Sequence, residues 1–150
     1  MKYFTQYLQE KSTNLASDDC QKYYDIWMKN LKRYWARYQK IKDQLPPNMS
    51  NLFESGSFHD SSLVALSFIK DGFNYNISLE LLGDDFHGVL IHKSVKEYRL
   101  QISDVLECGD AGEYLYGEIL KKNNDWTHNF IFCNSSEIFI KCKELLWESL

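Results

Sequence analysis

Glycine and proline are missing from the first 45 residues of this 150-residue chain: all seven glycines lie at or after Gly56, and its two prolines, Pro46 and Pro47, stand side by side. Residues 1–45 can therefore run as helix, and the prolines mark where helix must stop. The four cysteines, Cys20, Cys108, Cys133 and Cys142, contain no C-x-x-C pair, which excludes the common zinc and thioredoxin-like spacings. They read as reduced, mostly buried thiols, with Cys133 and Cys142 placed across a hairpin for one disulfide if the chain meets an oxidising compartment. No apolar run approaches the ~18 residues of a membrane span, and the opening ten residues lack a signal-peptide stretch. A soluble, cytoplasmic protein that keeps off membranes is expected. Nucleotide-binding G-x-G-x-x-G and Walker loops, the G-x-S-x-G elbow and H-E-x-x-H are missing too.

What is present is enough apolar material for a core. Apolar residues make up 44% of the chain and aromatics 15%, while the net charge is only −4, a composition that excludes disorder and fits one domain over residues 1–150. The charge is divided, however. Residues 1–43 hold 9 basic and 5 acidic side chains, a balance of +4, and residues 44–150 hold 8 and 16, a balance of −8.

The two parts follow different periods. Tyr24, Trp27, Met28, Leu31, Tyr34, Trp35, Tyr38 and Ile41 recur at helical spacing, predicting one long amphipathic helix over about 18–44, with Ser17 as its N-cap and Pro46 beyond its end. A shorter helix, about Thr5 to Lys11, precedes it. From residue 58 to 148 the period changes to two. Ser62–Ile69 and Phe73–Leu81 flank Asp71-Gly72, a hairpin signal, and further strands are read over 86–92, 97–102, 113–121, 126–133 and 137–143. Residues 144–148 are read as continuing the last strand. The fold class is α+β: N-terminal helices in segment 1–45 packed on an antiparallel β-meander of six or seven strands.

His59-Asp60, in Gly56-Ser57-Phe58-His59-Asp60-Ser61-Ser62, is the most motif-like pair. It could supply a base with its orienting carboxylate, but neighbours in an extended chain point apart, so a structural turn is the expected role. His87 and His92 fall on opposite strand faces and His128 stands alone, so no metal site and no cofactor are expected. The cations Lys22, Lys29, Lys32, Arg33, Arg37, Lys40 and Lys42, interleaved with Tyr23, Tyr34, Trp35 and Tyr38, could grip nucleic acid, although aromatics at helical spacing more often form core. The acidic loops offer a counterpart: Asp84, Asp85, Glu107, Asp110 and Glu113 near Tyr114, Tyr116 and Trp126 suit recognition of a basic protein.

Taken together, Met1-Lys2-Tyr3-Phe4-Thr5, the helical region to Leu45-Pro46-Pro47, Phe58-His59-Asp60 before a hairpin and the closing meander resemble a group of small bacterial proteins that includes immunity proteins of polymorphic toxin systems. The resemblance implies a non-enzymatic antidote that binds a cognate toxin and occludes its active site. It carries over no binding residues, and it implies a structural role for His59 and Asp60. The alternatives are a small hydrolase using that pair, and an adaptor using the basic helix.

Overall fold

Helix formation in the first third follows the stripe of large side chains, and the strands follow the alternation after residue 60. The computed structural model describes residues 2–14, 19–102, 114–133 and 135–150. Helix α1 (Gln6–Thr13) starts at Thr5, whose Oγ1 accepts from the Leu8 amide at 3.2 Å. Helix α2 (Cys20–Tyr38) buries Trp27, Tyr34 and Tyr38, with Met28, Leu31 and Trp35 partly buried beside them. Tyr24 belongs to the expected stripe but is exposed; Tyr23 packs inward instead, edge-on to Tyr7 at 6.0 Å. The expected N-cap, Ser17, lies outside the described residues.

The long helix is shorter than its periodicity predicts. Beyond Tyr38 the bonds tighten to the three-residue spacing, from the Lys40 amide to the Arg37 carbonyl and from Ile41 to Tyr38, and a 3-10 turn occupies Lys42–Gln44. The apolar period runs on because Ile41 and Leu45 are still turned into the core, a tightening common at helix ends. After the prolines comes α3 (Met49–Ser55), unforeseen from the sequence, between left-handed Asn48 (φ 67°) and Gly56 (φ 77°). Met49, Leu52 and Phe53 form its packing side.

Among the described residues eight strands follow, and they form two sheets rather than one meander. Strands β1 (Ser62–Asp71), β2 (Asn74–Leu82), β3 (His87–Lys93) and β8 (Glu144–Ser149) make one sheet in the order β1-β2-β3-β8. Strands β4 (Glu97–Gln101), β7 (Glu137–Cys142), β6 (Asp125–Phe132) and β5 (Tyr114–Lys122) make the other, in the order β4-β7-β6-β5, and all pairs are antiparallel. Residues after Lys143 remain extended but change sheets, pairing with β3 through Lys93↔Glu144. Thus β3–β4 and β7–β8 act as one bent pair shared by both sheets, with Lys143 N donating to Lys93 O and Lys96 N to Lys141 O at the bend. At the opposite corner Asp60 N donates to Tyr114 O and Tyr114 N to Ser61 O, so the layers fold into a half-closed barrel.

The inner faces bring together Ile77, Leu79, Leu81, Leu90, Ile119 and Ile140, each fully buried. Every such side chain contributes roughly 1.5–3 kcal/mol by leaving water. Helix α2 lies against the outer edge of β5, where the Tyr34 hydroxyl accepts the Ile119 amide at 3.1 Å. That bond satisfies a donor that an edge strand would otherwise leave open. The chain's start is fixed to the same strand, since the buried Glu118 carboxylate accepts from the backbone amides of Lys2 (2.8 Å), Tyr3 and Phe4 (2.6 Å). Cys142 is a buried free thiol, so it forms no disulfide with Cys133, and burial pushes its pKa up to about 12.

Candidate functional site

The turn between α3 and β1 answers the question left open by the His-Asp pair. Gly56 ends α3 in the left-handed region, the His59 amide returns to the Gly56 carbonyl at 2.8 Å, and Asp60 itself takes φ 64°. That left-handed residue, a role Asp tolerates, swings the two side chains to the same side. His59 Nδ1 and Asp60 Oδ1 meet at 2.7 Å with the pair largely exposed. The turn is anchored by Phe58, buried among Phe53 (4.8 Å), Phe86 (5.5 Å) and Trp147 (5.5 Å), and by Ser61 Oγ donating to Phe58 O at 2.8 Å.

Two depressions meet at His59. One, of about 140 Å³, is walled mainly by aromatics, among them Phe4, Tyr34, Trp35, Phe58, Tyr114 and Tyr116. The other, of about 260 Å³, is polar and lined by Ser55, Gly56, Ser57, His59, Asp60, Asp84 and Asp85. The His59 ring stands edge-on to Tyr116 at 5.5 Å and forms the ridge between them. Burial raises the Tyr116 hydroxyl pKa, and the Asp60 charge raises it further, so Tyr116 stays a neutral phenol.

The structure therefore gathers Asp84, Asp85 and Tyr116 from the expected acidic surface and adds His59 and Asp60 to them. It does not gather the rest. Tyr114 and Trp126 are each 4% exposed, so neither offers a surface anchor; Tyr114 reaches only the wall of the aromatic depression and packs edge-on against Phe130 at 5.7 Å. Their strands carry aromatics on the inward face, which loop proximity in sequence could not reveal. Glu107, Asp110 and Glu113 lie outside the described residues. On the basic helix, Lys22, Lys29, Lys32 and Arg33 are exposed, but Tyr34 and Tyr38 are buried and unable to stack bases, and Lys42 pairs with Glu54 at 3.3 Å.

Chemically, a carboxylate-oriented imidazole can act as a base, but the hydrogen bond from a serine or cysteine that a nucleophilic triad requires is not made among the described residues. Ser55 and Ser57 instead bond each other at 2.6 Å. No group of three or more His, Cys, Asp or Glu among those residues has the arrangement to hold a metal. His128, expected to stand alone, instead meets His92 from the facing sheet, Nδ1 to Nε2 at 3.3 Å, with both rings buried. That contact needed the sheet-to-sheet packing and had no local sequence signal. No helix among the described residues is long and apolar enough to cross a membrane. Compared with protein-family models and with curated proteins, the chain matches none.

Proposed function

We propose that this chain is a non-enzymatic binding protein, an antidote that neutralises a cognate bacterial toxin by covering its active site with the acidic face around the His59 turn. The observation that supports this reading most is the convergence of Asp60, Asp84 and Asp85 on one polar depression beside the Tyr116 and His59 rings. Three carboxylates speed encounter with a basic partner, and aromatic surface next to them supplies desolvated contact. The test is titration calorimetry with the toxin encoded beside the gene. One-to-one binding is expected, weakened at least tenfold by Asp84→Lys with Asp85→Lys and weakened further by salt. No binding to that protein sinks the proposal.

The His59–Asp60 bond at 2.7 Å favours one second reading, a small hydrolase in which Asp60 orients His59 as a general base. It predicts that His59→Ala abolishes turnover while leaving the melting temperature unchanged. A structural turn predicts the reverse, lowered stability with no activity to lose.

A further inference from the structure

At the far end of β1, roughly 30 Å from the His59 turn at 3.3 Å per residue, the barrel comes apart. The Val95 amide still donates to the Tyr75 carbonyl at 2.8 Å, but beyond that bond β4 turns away to pair with β7 while the β1–β2 hairpin runs on alone. The edges of β1 and of β4 that face away from β2 and β7 pair with no strand among the described residues. Between hairpin and strand lies a groove of about 400 Å³ lined by Phe68, Tyr75, Ile77, Val95, Lys96 and Tyr98. Phe68 and Tyr98 face each other across it at 5.2 Å, each about half exposed, and Phe73 at the hairpin tip is fully exposed. Soluble proteins seldom leave so much contiguous apolar surface without a use for it.

Cations outnumber carboxylates beside this groove, where Glu97 of β4 is met by Arg99 at 3.7 Å. Asp125 draws in Lys96 (2.9 Å), Lys143 (2.8 Å) and Lys141 (3.8 Å), so three ammonium groups share one carboxylate and two positive charges are left over. All three ammonium-bearing side chains remain 37–47% exposed.

We propose that this groove is a second docking site, separate from the acidic face, and that its occupant is an extended segment of a partner protein carrying apolar side chains next to a carboxylate. Open strand edge supplies main-chain hydrogen bonds to an extended chain, the Phe68–Tyr98 gap takes its apolar side chain, and the surplus charge on the Lys96–Lys141–Lys143 cluster takes its acid. The occupant differs in charge from the basic partner of the other end, so the two sites do not compete for one ligand.

The experiment is selection of random phage-displayed peptides on the full chain, with counter-selection on the double variant Phe68→Ser, Tyr98→Ser. Both positions are outside the core, and circular dichroism together with an unchanged urea midpoint checks that the variant folds. The expected result is a consensus of aromatic or aliphatic residues with Asp or Glu. Its synthetic peptide should bind the wild type at least tenfold more tightly than the double variant or Lys141→Gln, Lys143→Gln, and bind Asp84→Lys, Asp85→Lys normally. A basic consensus, no enrichment over counter-selection, or binding lost in the Asp84, Asp85 variant overturns the proposal. So does a wild-type dimer that Phe68→Ser, Tyr98→Ser makes monomeric, since the occupant is then a second copy.

Discussion

Acidification should unfold this protein through two histidines. The carbonyl of Ile77 can only accept, so His92 Nδ1, 3.3 Å away, carries the proton, which leaves His92 Nε2 to accept from His128 Nδ1. His128 Nε2 is then a bare acceptor, buried with no partner, its ring stacked 3.8 Å from Phe130 and 5.6 Å from Phe53. A proton on His92 Nε2 would set N–H against N–H, and one on His128 Nε2 would leave a cation among phenyl rings. Burial accordingly pushes the His92 pKa down to about 3, and burial together with His92 holds His128 well below its usual range. The unfolded chain binds these protons below about pH 6.5 and the folded chain does not, so stability is intact above that pH and lost as pH falls from it towards about 3. The slope is about 1.4 kcal/mol per pH unit for His92, or about 2 kcal/mol between about pH 7.5 and about pH 5, and His128 adds to it in the same direction. Against a total stability of about 5–15 kcal/mol this is a large share. Urea unfolding followed by tryptophan fluorescence across that range measures it, with His92→Leu, His128→Phe as the comparison because two apolar side chains of similar size remove both partners at once. The reasoning is refuted if the wild type is flat over this range, or if the double variant keeps the wild-type slope.

Three further outcomes follow from the same contacts. Tyr34→Phe removes the acceptor for the Ile119 amide and should cost about 1–2 kcal/mol in urea unfolding, with faster hydrogen exchange at residue 119. Glu118→Gln replaces a carboxylate that accepts three amides with a group that also donates, costing about 2–3 kcal/mol, and amide exchange should show residues 2–4 losing protection first. Gly117→Ala would put a methyl group 2.7 Å from the Tyr114 ring and against its hydroxyl, lowering stability by about 1–3 kcal/mol in the same unfolding assay.

The sequence carried the local pattern well where one period held over many residues. Trp27, Tyr34 and Tyr38 lie at helical spacing and are buried, and Ile77, Leu79 and Leu81 alternate and are buried. At Phe73 and Tyr75 the same alternation misled, because the hairpin outruns its partner strand and the inward face has nothing to pack on. Helix α3 was readable in Met49, Leu52 and Phe53 at helical spacing but was obscured by its brevity and by the prolines before it. The split into two sheets was not legible at all. It depends on bends at residues 94–96 and at Lys143, which exchange partners without breaking the extended pattern.

The candidate site shows the same limit from the other side. His59 and Asp60 stand next to each other in sequence, so their pairing required only one left-handed residue, and the chain's turn there supplies it. Asp84 and Asp85 reach the same depression from the β2–β3 connection because β1 and β2 pair from Ser62↔Leu82 onward, which places the end of β2 beside the start of β1. One hairpin register thus sets both ends of the molecule. It draws the carboxylates together at Ser62↔Leu82, and at Asp71↔Asn74 it carries Phe68 and Tyr75 past the point where β4 departs. A one-residue slip in that register would turn Ile77, Leu79 and Leu81 out to solvent. The core that holds the register therefore also fixes the spacing between an acidic face and a basic-flanked apolar groove.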